Sequence, residues 1–167
     1  MPRFQPLHIL VLLFTLLTPA LFWLSQSQSA STVYLKEASF TNNAKEDWLD
    51  LYNPTLNSIS MKGYFLSDNL DDPTKWQFTS DWVIGSHQTL RVYGKASDSA
   101  PYGSARLNFN LGNGETLVLT ARDGKSQIDR MTLLAPPNYE GSFTMGRPGN
   151  DLSITEVFYQ ETSGTGR

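Results

Sequence analysis

The chain has 167 residues, a formal net charge of −3 and no cysteine. The lack of cysteine excludes a disulfide framework, a thiolate metal site and an anchor lipidated on cysteine. The slight acidic excess and the scattered basic residues argue against a nucleic-acid partner, because duplex binding draws most of its affinity from neutralised phosphates.

The first 29 residues predict a signal peptide or an uncleaved membrane anchor. A head whose basic residue is Arg3 precedes an apolar run at 9–24, and a small polar segment follows at 25–31. This order of parts is typical of a secretory signal. The run is shorter than the ~20 residues that cross a bilayer as a helix, and Pro19 weakens it further. We therefore expect a secreted, periplasmic or cell-surface domain, which stays anchored to the membrane if residues 9–24 are retained.

Residues 30–160 predict one domain of short strands, and residues 161–167 predict a short flexible tail. Alternating, β-branched and aromatic segments indicate the strands. They are Val33–Phe40, Trp48–Asn53, Leu56–Met61, Tyr64–Leu66, Trp76–Phe78, Trp82–Ile84, Thr89–Tyr93, Leu107–Leu111, Glu115–Ala121, Ser126–Leu133 and Ile154–Tyr159. In the second strand Leu49 and Leu51 share one face, and bulky residues fill the other, as expected of an inner strand.

Glycine, proline and acidic residues predict the connections between these strands. Gly112-Asn113-Gly114 predicts a turn, and Asp123-Gly124 predicts a tight hairpin because both residues tolerate positive φ. Ser67–Pro73, Lys95–Arg106 and the glycine-rich segment Gly141–Asn150 predict surface loops. Many short strands with turn signals every 8–12 residues indicate an all-β fold of the β-sandwich type.

The order of several segments resembles a known family. These are Trp-Leu-Asp-Leu-Tyr-Asn at 48–53, Gly-Tyr-Phe-Leu-Ser-Asp at 63–68, Trp-Gln-Phe at 76–78, Gly-Glu-Thr-Leu-Val-Leu at 114–119 and Gly-Ser to Gly-Arg at 141–147. Over about Val33–Tyr159 the chain is similar to the lamin tail domain family (LTD) in its bacterial, exported form. The resemblance implies an immunoglobulin-like β-sandwich without catalytic residues of its own. Members occur as modules on secreted or surface proteins, often beside hydrolases, and beside the rod of nuclear lamins.

The sequence lacks the residues that a catalytic triad or a zinc site requires. Beyond the predicted signal, His87 is the single histidine, and it lies in a predicted turn. No serine stands in a Gly-x-Ser-x-Gly setting that would give a nucleophile elbow. A zinc site needs three or four nitrogen or sulfur ligands, so zinc is excluded. We expect no cofactor.

Carboxylates leave two alternatives open. Asp68, Asp71 and Asp72 crowd one loop, which is either a solvated acidic turn or a weak calcium site, although the spacing is not that of an EF-hand. Asp50 lies between Trp48 and Tyr52, so it is either a structural hydrogen-bond acceptor or a general acid. A small hydrolase with an acidic site around Asp50 or Asp68 is therefore the alternative function.

Three residues are candidates for ligand binding. Tyr102 and Tyr139 lie in predicted loops beside prolines, where an exposed ring can stack on a sugar or anchor a protein. Arg147 can hold an anion with neighbouring amides, or it can order its loop by hydrogen bonds to carbonyl groups. We predict a non-catalytic binding or scaffolding module for a protein or an envelope polymer, with a calcium-stabilised surface domain as a further alternative.

Overall fold

The described part of the chain is built of β-strands, as the sequence predicts. This computed structural model describes residues 33–41, 44–135, 142–147 and 156–158. The strands in these residues are β1 (Tyr34–Thr41), β2 (Trp48–Tyr52), β3 (Ile59–Ser60), β4 (Phe65–Ser67), β5 (Trp76–Gln77), β6 (Val83–Ile84), β7 (Thr89–Tyr93), β8 (Ala105–Arg106), β9 (Thr116–Thr120), β10 (Gln127–Thr132), β11 (Ser142–Gly146) and β12 (Glu156–Phe158). The predicted signal or anchor and the predicted tail at 161–167 lie outside the described residues. Within the described ranges, no helix has the length and apolar character to cross a membrane.

The strands form two larger sheets and one small one. The larger sheet has the order β12-β11-β1-β2-β7-β8, the second has the order β10-β9-β4-β5, and β3 pairs with β6. All neighbours run antiparallel except β7 and β8, which are parallel. Strand β2 lies between β1 and β7, so the prediction of an inner strand is confirmed.

The core contains residues from both larger sheets, as expected of a sandwich. Leu49 and Leu51 of β2 are fully buried, and so are Leu117 and Leu119 of β9 and Leu66 of β4. All five belong to one cluster of buried apolar side chains. Because side chains alternate along a strand, burial of these residues directs the intervening ones of each sheet outward. The architecture is all-β and consistent with an immunoglobulin-like sandwich.

The turn after β2 is fixed by the side chain of Asn53, which is completely buried. Its amide nitrogen donates to the carbonyl oxygens of Asn57 at 2.7 Å, Ile84 at 3.0 Å and Gly85 at 3.0 Å. Its amide oxygen accepts from the backbone N–H of Thr55 at 2.9 Å and from the Thr55 hydroxyl at 2.8 Å. The signal Asn53-Pro54 therefore marks a hydrogen-bonded junction between β2 and the β3-β6 pair.

The predicted strand Leu56–Met61 is wrong over its first half. Only Ile59–Ser60 pairs as a strand, and Leu56 has 83% of its surface exposed. The reason is local, because Thr55 and Asn53 both donate side-chain hydrogen bonds to the carbonyl oxygen of Asn57. That carbonyl is no longer available to a ladder, and the chain turns before it pairs.

The segment Leu107–Leu111 has the predicted alternation but is not a strand. Leu107, Phe109 and Leu111 are buried, as the pattern indicates. Their backbone groups have separate partners instead of one ladder. The N–H of Leu107 donates to the carbonyl of Tyr93 at 2.8 Å, and that of Leu111 donates to the carboxylate of Asp47 at 2.9 Å. The alternation of side chains thus predicted the buried residues correctly, but it predicted strand pairing wrongly.

Two predicted loops contain strands. Ala105–Arg106 at the end of Lys95–Arg106 forms β8, and Ser142–Gly146 within Gly141–Asn150 forms β11. The glycine content of Gly141–Asn150 predicted a loop, but Gly146 belongs to strand β11. A Cβ there would lie 3.0 Å from the carbonyl oxygen of Lys36, so a larger residue would push β11 and β1 apart by a few tenths of an ångström.

Candidate functional site

The side of the larger sheet that faces away from the core concentrates aromatic and charged residues. On β2, Trp48, Asp50 and Tyr52 alternate with the buried leucines and therefore point outward. On β7, Arg91 and Tyr93 flank the fully buried Val92. These residues, with Tyr34, Lys36, Glu37 and Thr89, are called the outer face below.

A β-bulge adds two charged side chains to the outer face. The register of β1 against β2 shifts between Leu35 and Glu37. Ordinary alternation would direct Glu37 inward after Leu35, but the extra residue Lys36 restores Glu37 to the outer side, opposite Asp50. The ammonium group of Lys36 lies 5.1 Å from the centre of the Tyr52 ring.

The centre of the outer face is an ion pair between neighbouring strands. Asp50 and Arg91 are direct partners across β2 and β7. The guanidinium donates from Nε to Oδ1 and from Nη2 to Oδ2 of Asp50, both at 2.8 Å. Arg91 Cζ also lies 3.4 Å from the centre of the Trp48 ring. The hydrogen bond to Asp50 raises the pKa of Arg91, so this cation is permanent.

Aromatic side chains lie on both sides of this ion pair. Trp48 is the strand partner of Tyr93, and Tyr52 is the partner of Tyr34. The rings of Tyr34 and Tyr52 meet edge to face with their centres 5.4 Å apart. Tyr34 is buried, whereas Trp48, Tyr52 and Tyr93 are half-buried and present part of each ring to solvent. The outer face therefore holds three accessible rings in fixed positions.

Burial shifts the titration of two further groups of this face. It raises the pKa of Glu37, and the neighbouring Asp50 carboxylate raises it further, while Arg91 and Lys36 oppose both effects. Burial and then the nearby Tyr52 raise the pKa of Tyr34. Tyr34 therefore stays neutral near pH 7, and its ring serves as packing for Tyr52.

The chain matches a family model over much of its length. The family model described as Lamin Tail Domain matches residues 26–134, which is more than half of the chain. The chain belongs to the Lamin Tail Domain family. The resemblance read from the sequence is thus confirmed, although the match ends before the segment at 141–147. No curated protein shows a significant match to the chain. The Lamin Tail Domain is an immunoglobulin-like structural and binding fold that is typically non-catalytic.

In this lamin tail domain the two predicted binding residues that the structure describes, Tyr102 and Arg147, have different surroundings. Tyr102 is fully exposed at the tip of a turn that the N–H of Ser104 closes onto the carbonyl of Pro101 at 3.1 Å. Gly103 supplies the positive φ of that turn. The exposure expected of Tyr102 is therefore present, and its role in binding stays a prediction. Tyr139 lies outside the described residues.

Arg147 is buried between the two larger sheets. Its Nη1 donates to the carbonyl of Leu35 at 2.8 Å and to Oδ2 of Asp129, and its Nη2 donates to Oδ1 of Asp129 at 3.0 Å. The same Nη2 donates to the carbonyl of Arg130 at 2.7 Å. Of the two interpretations of Arg147, the hydrogen bonds to carbonyl groups are thus present. The alternative role in holding an anion stays a prediction.

The ion pair of Asp129 and Arg147 also covers the unpaired edge of β10 at Arg130. Strand β10 ends the second sheet in the order of the described strands. At Arg130 its backbone N–H donates to Oδ1 of Asp129 at 2.8 Å, and its carbonyl accepts from Arg147. Asp129 also accepts the N–H of Leu35 at 2.8 Å. The clasp, defined here as Asp129 and Arg147, therefore joins β10 to β1 and binds both backbone groups of Arg130.

The acidic loop has its own cation. The ammonium of Lys75 donates to both carboxylate oxygens of Asp68, at 2.6 and 2.8 Å. Asp71 and Asp72 are exposed, and Asp72 accepts from the Thr74 hydroxyl at 3.3 Å. Among the described residues, no group of three or more His, Cys, Asp or Glu side chains is arranged to hold a metal ion. Calcium binding at Asp68, Asp71 and Asp72 stays a prediction, and it requires calcium to compete with Lys75.

The remaining motifs have structural partners. His87 is exposed in its turn with φ of 53°, and its Nδ1 lies 3.4 Å from the hydroxyl of Tyr52. Asp123-Gly124 forms the predicted hairpin, with Gly124 at φ of 67°. Hydrogen bonds from Ser126 and Lys125 lower the pKa of Asp123 to about 2. The pairing of Asp50 with Arg91 was not predicted from the sequence, because it depends on the register of two strands about 40 residues apart.

Proposed function

We propose that this lamin tail domain is an exported, non-catalytic binding module, and that its outer face contacts a protein or a cell-envelope polymer. One observation carries the proposal: three half-buried aromatic rings are held in place on one side of a sheet around a bidentate ion pair. Rigid aromatic side chains give much contact area at little cost in conformational entropy, and this is why they dominate binding surfaces.

The state of the carboxylates supports a non-catalytic role. A general acid needs a carboxyl group that can hold and release a proton near neutral pH. Both oxygens of Asp50 accept from Arg91, and both oxygens of Asp68 accept from Lys75. These contacts occupy the carboxylate oxygens that would have to act on a substrate, and they therefore oppose the hydrolase alternative.

The sequence of residues 1–29 supports export. The charged head, apolar centre and small-residue exit are the parts of a secretory signal. The absence of cysteine is compatible with an oxidising compartment, because the domain needs no control of thiol oxidation there. The intact mass of the protein from its own host, with cell fractionation, tests this part. Loss of about 29 residues supports release, and a full-length mass in the membrane fraction supports an anchored module.

Site-specific photo-crosslinking in the native host tests the binding role. A photoreactive amino acid replaces Thr89, an exposed residue of the outer face. The matched control places the same amino acid at Lys125, which is exposed on the hairpin of the second sheet. We expect a crosslinked product from position 89 and none from position 125. Equal products from both positions, or a product from position 125 alone, would contradict a binding role of the outer face.

A further inference from the structure

The composition of the outer face differs from that of a protein-docking core. Its residues are aromatic, ionised or hydroxylated, and none of those that define it is aliphatic. The large exposed aliphatic side chains of the described residues lie elsewhere, at Leu56, Leu70, Val83 and Leu134. The cores of protein–protein interfaces are depleted in charged residues. A partner of the outer face must instead offer apolar surface and hydrogen-bonding groups side by side.

The charges at the centre of the outer face balance. Lys36 and Arg91 are cations, Glu37 and Asp50 are their acidic counterparts, and all four lie on three adjacent strands. A further cation, Arg106, lies at the edge on β8 and donates to three carbonyl groups of the loop that follows β7. Opposite charges this close leave little field to attract a polyanion or a polycation. Arg91 and Lys36 also lie over the rings of Trp48 and Tyr52, where a cationic ligand would have to bind. The complementary partner is therefore uncharged.

The spacing of the rings favours an extended ligand. Trp48 and Tyr52 are four residues apart on β2, which corresponds to roughly 13 Å along an extended strand. Tyr93 lies across from Trp48, at the same end of the strand. A ligand that touches both ends must therefore follow the strand over this distance and pass the ion pair of Asp50 and Arg91 between them.

The polar groups between the rings can bind hydroxyl groups. Arg91 uses Nε and Nη2 for Asp50, and its Nη1 makes no hydrogen bond to the described residues. Its N–H groups can donate to a ligand, and the hydroxyl of Tyr52 and the carboxylate of Glu37 can accept. From these observations we infer that the outer face binds an uncharged, linear polysaccharide. Sugar C–H groups pack on the parts of the rings that Arg91 and Lys36 leave uncovered, and sugar hydroxyls bond to the charged centre. This inference rests on the binding role proposed above.

Calorimetric titration of the full chain tests the inference. The probes are the soluble hexasaccharides of β-1,4-linked glucose and of β-1,4-linked N-acetylglucosamine, with polygalacturonate as the anionic comparison. We expect at least one hexasaccharide to bind and polygalacturonate not to bind. Tyr52→Ala and Tyr93→Ala should each weaken hexasaccharide binding roughly three- to tenfold, the range typical of one aromatic contact.

Matched variants separate loss of the site from loss of the fold. Leu134→Ala removes an exposed apolar side chain away from the outer face and should leave binding unchanged. Tyr52→Phe keeps the ring and should keep most of the affinity. All variants are compared only where their melting temperatures agree with that of the unmodified chain. Equal loss in Tyr52→Ala and Leu134→Ala would overturn the inference, and so would preferential binding of polygalacturonate.

The two experiments distinguish failure of the polysaccharide inference from failure of the binding role of the outer face. If neither hexasaccharide binds while the probe at position 89 captures a protein, the outer face is a protein-binding surface and the polysaccharide inference is wrong. If position 89 yields no product and the hexasaccharides do not bind, both the inference and the binding role of the face are wrong. Binding of a hexasaccharide that is lost on Tyr52→Ala and Tyr93→Ala supports both.

Discussion

Neutralising one carboxylate of the clasp should cost far more stability than neutralising an exposed one. The change is Asp129→Asn. In the folded chain the side chain of Arg147 is 5% exposed and that of Asp129 is 13% exposed. Asparagine keeps one acceptor oxygen but places an NH2 group against the guanidinium, so Arg147 remains buried without a counter-charge.

The magnitude follows from that burial. Removing one partner of a buried ion pair typically costs about 3–5 kcal/mol, because the remaining charge is desolvated without compensation. For a domain with ~5–15 kcal/mol of total stability, this is a large fraction. At this chain length we expect the melting temperature to fall by roughly 10–20 °C. Urea unfolding followed by circular dichroism measures the change in the free energy of unfolding.

An exposed ion pair provides the matched control. Lys45 and Asp98 approach to 3.7 Å, with side chains 63% and 74% exposed. Asp98→Asn should therefore cost less than ~0.5 kcal/mol. Replacing both members of the clasp, as Asp129→Leu with Arg147→Met, should recover little of the loss, because the backbone groups that the clasp binds would be left without partners. A cost of Asp129→Asn below ~1 kcal/mol, equal to that of Asp98→Asn, would refute this reasoning.

Three further predictions concern the turns and the acidic loop. Asn53→Ala should lower the free energy of unfolding by about 2–4 kcal/mol in urea titrations, because it removes a buried amide that makes five polar contacts of hydrogen-bond length. Asn108→Ala, which removes one exposed bond at 3.0 Å, should cost under ~1 kcal/mol. The pKa of Asp123 falls from 3.8 to about 2, so its stabilisation is complete above pH 4 and lost toward pH 2. Melting curves of Asp123→Ala and the unmodified chain should therefore converge on acidification, and a gap that widens would contradict this. Millimolar calcium should leave the melting temperature unchanged because Lys75 already binds Asp68, whereas a clear rise would support the calcium-stabilised alternative.

Local patterns predicted the strands whose residues alternate and whose ends carry a turn signal. Trp48–Asn53 and Thr89–Tyr93 match the observed β2 and β7 almost residue for residue. Alternation reports which side chains are buried, and burial does not require a ladder. This is why a strand was wrongly predicted at Leu107–Leu111. Its alternate side chains are buried, but Tyr93 and Asp47 accept the hydrogen bonds of its first and last backbone N–H groups.

The candidate site was only partly predictable. The alternation placed Trp48, Asp50 and Tyr52 on one side of β2; in the structure Trp48 and Tyr52 are half-buried, and Asp50 is buried and paired with Arg91. The partner of Asp50 and the bulge at Lys36 depend on register, which is set by tertiary pairing. Likewise, a guanidinium at position 147 reaches Asp129 only after two sheets have packed together, so no local signal identifies that pair.

The clasp has a consequence for how copies of this chain behave at high concentration. An unprotected strand at the end of a sheet is a template on which a second chain can continue the ladder, and this is a common route to aggregation. On β10 the two main-chain groups of Arg130 are already occupied by Asp129 and Arg147. An incoming strand would have to expel a buried guanidinium before it could pair there. The charged pair thus protects the sheet from templated growth while it holds the sheets together.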